Sequence, residues 1–208
     1  MTPDFTWFFL SGVLFGLAVL GFIRWRFGGP DTLAFLVVAG LFPALMDFLS
    51  SFGAQNYVYP GQSRVWVFTY VFFGWMAVCG TCMLLAEGIL ARPDADLLTD
   101  RPLWWKAPLA TAIIAVLLDL FIDPIAVAVG YWKWLIPSEL YYGIPMLNFV
   151  GWFVLMLLSP LAWILIARRE GSYARKGTIA AAALLPLCAA AIVLSAVLNT
   201  GVAALGLR

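Results

Sequence analysis

"LLDLFIDPIAVAVGYWKW", residues 117 to 134, sets two carboxylates and a proline inside a run otherwise apolar enough to cross a membrane. Its reading fixes the number of crossings. Proline lacks an amide donor and crowds the carbonyl four residues back. The Asp123-Pro124 step therefore either ends a helix and opens a short seventh segment or kinks one long helix.

Working outward, 64% hydrophobic and 11% charged residues with a mean hydropathy of +0.98 exclude a soluble globular domain. The chain reads as a polytopic integral membrane protein. At 208 residues and about 20 per span, it holds about six helices and short loops in one transmembrane domain, residues 1–208. Apolar runs fall at Phe5 to Ile23, Leu33 to Phe52, Val65 to Leu90, Ala107 to Val129, Met146 to Ala167 and Ile179 to Leu205.

Charge placement decides between six and seven, because cytoplasmic loops collect Lys and Arg. Nine of the twelve basic residues, Arg24, Arg26, Arg92, Arg101, Lys106, Arg168, Arg169, Arg175 and Lys176, follow odd-numbered spans. Arg64, Lys133 and Arg208 fall on the other side. A seventh crossing would put the Arg168 cluster opposite the Arg92 cluster, so the expected fold is an all-α bundle of six helices with both termini outside. The first span has no basic residues ahead of it and Arg24-Trp25-Arg26 behind it, the reverse of a secretory signal, and is expected to remain as an N-out anchor in the inner cell membrane.

The near-neutral balance, +1 overall, offers no basic surface for nucleic acid. The absence of histidine and a count of three cysteines remove the usual ligands of zinc, haem and iron-sulfur clusters, so no metal or other cofactor is expected. Without histidine a Ser-His-Asp or Cys-His arrangement is impossible. Cys79-Gly80-Thr81-Cys82 lies inside an apolar span and reads as buried thiols.

The intramembrane acids are the candidates for chemistry. Asp47 lies late in span two, Asp119 near the middle of span four, and Asp123 one turn further out. Asp119 and Asp123 share a helical face, and each would cost about 2.5 to 3.5 kcal/mol if charged at a helix centre, so they are expected to face the bundle interior. Glu87, near the cytoplasmic end of span three, is expected to reach the interface. Pro124 should leave the Leu120 carbonyl free to accept from water or an acid proton beside the pair.

Around this layer the outer loops supply Tyr57, Tyr59, Trp132, Trp134, Tyr141, Tyr142 and Trp152. Belt duty at the headgroup level accounts for single aromatics. It does not account for Asn148, whose amide at the mouth of span five needs a partner, and the span-four carboxylates are candidates.

"DLFIDPIAVAVGYWKW" followed by "YYGIPMLNFVGWF" resembles the paired signature of membrane carotenoid-biosynthesis proteins. That family includes bacterial carotenoid 1,2-hydratases and the archaeal bisanhydrobacterioruberin hydratase. The resemblance covers Asp119 to Trp152, about a sixth of the chain. In the N-terminal half the family's acidic residue is followed by T-G-x-x-F-G-x-Y-x-Y, whereas here Asp47 is followed by Phe52-Gly53-Ala54-Gln55-Asn56-Tyr57-Val58-Tyr59. The resemblance implies hydration of a terminal isoprenoid double bond in a lipophilic polyene, without a cofactor.

The residues could do this chemistry unaided. Water addition to a trisubstituted alkene needs a proton donor, a short-lived tertiary cation and a delivered water. A carboxylic acid in an apolar pocket can donate, and a proton shared between Asp119 and Asp123 leaves one acid and one base. The deeper Asp119 is expected to be the acid and Asp123 the base, with Asn148 orienting the water or holding a carboxylate. Two other classes fit the same residues: an isoprenoid cyclase or isomerase using the same acid, and a proton- or cation-coupled transporter with the aspartates as relay.

Overall fold

The computed structural model describes residues 5–206. Six helices in it are long and apolar enough to cross a membrane. We label them α1 (Phe5–Phe27), α2 (Gly29–Gly53), α3 (Arg64–Leu90), α4 (Leu103–Val129), α5 (Met146–Ala167) and α6 (Tyr173–Ala204). Two-residue strands, β1 (Tyr57–Val58) and β2 (Lys133–Trp134), lie in the loops after α2 and α4. Among the described residues no seventh crossing forms: α4 runs unbroken through Asp123-Pro124 and closes at Gly130, whose left-handed φ of 78° lets the Tyr131 amide return to the Ala126 carbonyl at 2.9 Å.

Local sequence sets the helix limits. Gly28, at φ 87°, turns the chain between α1 and α2, and Pro30 occupies the first turn of α2, where its missing amide costs nothing. Ser63 and Ser172 cap α3 and α6 by accepting from the Trp66 and Arg175 amides. Helix α2 contains two wide turns, Leu36–Leu41 and Leu49–Gly53, in which the Phe42 and Ala54 amides reach five residues back to Val37 and Leu49. Pro43 follows the first. In a regular helix its ring would crowd the Ala39 carbonyl, and the widened turn gives it room. Asp47 sits on the regular turns between the two.

Helices α2, α3 and α5 form the centre, while α1 and α6 expose most of their length to lipid. Lipid supplies no hydrophobic drive between helices, so close approach has to come from small residues. A Cβ on Gly16 would lie 2.6 Å from the Phe73 carbonyl oxygen of α3, and one on Gly40 would lie 2.8 Å from the Phe72 ring.

The loops segregate by charge. At one end Arg26 makes a forked pair with Glu87 at 2.5 and 2.8 Å, and Arg24 donates to the Tyr173 hydroxyl at 3.1 Å. Arg92 pairs with Asp100 at 2.5 Å, and Lys176 pairs with buried Asp31. Glu87 is buried under this end and also accepts from the Leu97 amide at 2.9 Å. It is therefore enclosed where the sequence reading put it at the interface, because the loop after α3 folds back over it. The opposite end carries the strand ladder, and Phe5 of α1 meets Tyr131 there with ring centroids 5.4 Å apart. Arg208 lies outside the described residues.

Candidate functional site

The ladder end builds the site. β1 and β2 pair antiparallel, with Tyr57 opposite Trp134 and Val58 opposite Lys133. The Leu135 amide donates to the Asn56 carbonyl at 2.9 Å, and Gln62 Nε2 donates to the Tyr131 carbonyl at 2.7 Å. These bonds fasten the loop that leaves α2 to the loop that leaves α4, so each loop lays aromatic side chains over a carboxylate in its own helix.

On α4, Asp119 and Asp123 share one inward face, at 0% and 2% exposure, while Leu117, Phe121 and Ile125 point outward. Asn148, at the start of α5, donates its amide to Asp119 Oδ2 at 2.5 Å. Asp119 Oδ1 is buried without a protein partner. Trp134 donates its indole N–H to Asp123 Oδ2 at 3.2 Å, and Trp132 approaches the same carboxylate.

On α2, Tyr59 donates its hydroxyl to Asp47 Oδ1 at 2.9 Å, and Tyr57 donates to the Asp47 main-chain carbonyl at 3.3 Å. Burial first, and the Asp47 charge second, push the Tyr57 and Tyr59 phenols well above their ordinary range, so both stay protonated and act as donors. Tyr57 lies within electrostatic reach of both Asp47 and Asp123, which brings the two acid-bearing helices to one cage. Its walls are Tyr57 and Trp134, 4.8 Å apart, and Tyr59 and Trp132, 6.3 Å apart.

The remaining sequence candidates fall outside this cage. Trp152 packs on Trp75 at 4.6 Å, and Trp75 in turn approaches Asp47. Tyr142 is 72% exposed and meets Tyr141 edge-on at 4.7 Å. Tyr141 changes one expectation. Its hydroxyl donates to the Leu120 carbonyl at 2.9 Å, so the acceptor freed by Pro124 is taken by a phenol from the following loop and is not open beside the pair. Cys79 and Cys82 are buried free thiols, as their apolar surroundings imply.

Sequence reasoning missed Trp75 and Tyr70 of α3 and gave no role of its own to Gln62, in the loop before it; all three adjoin the cage. Span three carries no acid at this depth to draw attention to them. Among the described residues no group of three or more His, Cys, Asp or Glu side chains converges as a metal site.

A family model described as carotenoid biosynthesis protein matches residues 8–207 of the chain. No curated protein and no solved structure gives a significant match.

Proposed function

Because the chain belongs to the carotenoid biosynthesis protein family, we propose that it hydrates a terminal trisubstituted double bond of a carotenoid-like lipid. Asp119 is the acid and a water captures the cation. At the coarser level the chain is an integral membrane protein with a role in carotenoid biosynthesis.

The observation that carries this reading is the inequality of the two Asp119 oxygens. Asn148 donates to Oδ2, which must therefore accept, and this leaves Oδ1, buried and without a protein partner, as the oxygen to bear and release the proton. Protonation forms a C–H bond at the less substituted carbon and draws its electron pair from the alkene, leaving a tertiary cation. The faces of Tyr57, Tyr59, Trp132 and Trp134 stabilise that cation by about 0.5 to 2 kcal/mol each without bonding to it. Water then adds through its oxygen lone pair and releases a proton to Asp123. Passage of that proton to Asp119, four residues away on the same face, resets the pair. Water is added with no oxidation or reduction, so the step needs no redox partner.

Asp47 forms the third wall, its tyrosine pair holding the side of the cage from which water acts. The segregation of basic loops supports an orientation with that end in the cytoplasm and the ladder outside. On this reading the polyene, dissolved in the bilayer of the inner cell membrane, reaches the acids sideways from lipid. The near-complete enclosure of Asp119 and Asp123 also favours a second reading, in which an internal alkene captures the cation and the product is a ring.

Pigment extraction from a host that makes lycopene-type polyenes, with and without this gene, tests both. A tertiary alcohol is expected, and a cyclic hydrocarbon in its place establishes the second reading. Asp119→Asn should abolish alcohol and rearranged alkene alike. Asp123→Asn should still form the cation and leak isomerised or cyclised hydrocarbon. The opposite pattern would reverse the acid and base assignments.

A further inference from the structure

The cage has a polar side that the mechanism above leaves without a use. At the ladder end a cleft of about 260 Å³ opens, lined by Phe5, Thr6, Gly61, Gln62, Ser63 and Trp66. Gln62 stands at this cleft with its nitrogen fixed on the Tyr131 carbonyl at 2.7 Å. Its oxygen, Oε1, is buried and has no partner in the protein. One step deeper, Tyr70 of α3 adjoins Gln62. Tyr70 is 5% exposed; its hydroxyl lies within reach of the Gln62 side chain but makes no hydrogen bond of good geometry to any protein group.

The line continues inward. The Tyr70 ring lies 6.2 Å from the Tyr59 ring, and the Tyr59 hydroxyl donates to Asp47 at 2.9 Å. A row of polar side chains thus runs from an open cleft to the carboxylates, flanked by Phe8 on one side, whose ring is 5.1 Å from Tyr70. Two adjacent buried polar atoms are costly to leave dry, and a water bonded to both removes that cost. A polyene arriving from lipid brings no water with it, so the second reactant needs a route of its own.

We propose that Gln62 and Tyr70 form a water-binding line that carries water from the cleft to the Asp47–Tyr59 pair. The Gln62 oxygen and the Tyr70 hydroxyl hold the water in transit, and its oxygen becomes the oxygen of the product alcohol. No bond to oxygen breaks along the line; Asp123 takes the proton only when the cation is attacked. The purpose of the line rests on the hydration reading, but its existence does not.

Pulsed hydroxyl-radical footprinting of the full chain in lipid nanodiscs tests its existence without any substrate. Tyr70 is expected to label at a rate near that of exposed Tyr142, far above enclosed Phe35, and Gln62→Leu is expected to bring it down toward Phe35. Labelling of Tyr70 no faster than Phe35 in the unaltered protein overturns the proposal. Tyr70→Phe keeps the ring and tests delivery: the ratio of alcohol to rearranged hydrocarbon should fall by about fivefold, the worth of one neutral hydrogen bond to the delivered water. An unchanged ratio also overturns it. If the unaltered protein makes no alcohol from any polyene, the hydratase reading falls by itself and footprinting alone decides whether the water line exists.

Discussion

Asn148→Leu removes the amide that donates to Asp119 Oδ2 at 2.5 Å while keeping the length and bulk of the side chain. On the proposed reading, in which Asp119 is the acid, the resting bond joins a neutral amide to a neutral acid and is worth about 1 kcal/mol. As the proton leaves Oδ1 the acceptor becomes a carboxylate, and a hydrogen bond to a charged group is worth about 2 kcal/mol. The difference of about 1 kcal/mol is gained only on the way to the cation, so its loss should lower kcat about fivefold. KM should hardly move, because Asn148 touches the acid and not the polyene. Stability should fall by the resting value, about 1 kcal/mol. Turnover in nanodiscs at saturating polyene, with thermal unfolding of the same samples, measures all three. If the folded variant keeps the unaltered kcat, Asp119 is not the proton donor.

A cysteine at Ser138, in a Cys188→Ser background, should react with a membrane-impermeant maleimide only from the face opposite Arg92 and Arg168; labelling from the cytoplasm would invert the orientation. Glu87→Leu leaves Arg26 and the Leu97 amide without their acceptor. Breaking a buried pair costs about 3–5 kcal/mol, but Arg26 is 30% exposed, so about 2 kcal/mol is expected in chemical unfolding, and no change would show the forked pair to be idle. Gly16→Ala places a methyl 2.6 Å from the Phe73 carbonyl and should cost about 1–3 kcal/mol. Gly21→Ala, with nothing within 4 Å, should be neutral, and equal effects at the two positions would refute the close α1–α3 contact.

The six crossings were legible because hydropathy over some 20 residues and the side of each basic loop are properties of the chain itself. The Asp119–Asp123 face followed from helical geometry, and the need of Asn148 for a partner pointed to the acid it meets. Other features depend on contacts between distant segments. Two-residue strands carry no periodicity, so the pairing of Tyr57 with Trp134 has no trace in either loop alone. Asp31, at the start of α2, looks like an ordinary first-turn acid, and its buried partner Lys176 lies 145 residues away. The loss of the Leu120 acceptor to Tyr141 depended on where a loop folds back, which Pro124 could not announce. Gln62 and Tyr70 were passed over because polar residues near a membrane face need no special explanation until their atoms are found buried and unpaired.

The strand ladder also sets an order of assembly. β1 leaves the chain after the second crossing and β2 after the fourth, so Tyr57 has no Trp134 to face until another 77 residues have been made and two more helices inserted. Both strands lie at the end opposite the basic loops, and the final pairing is made at that end by segments synthesised at different times. A chain arrested before Trp134 would hold Asp47, Asp119 and Asp123 in the bilayer with Asp123 lacking its indole partner and Asp47 with only its own loop to cover it. The acids therefore become a site late in biogenesis, in the step that joins the two loops.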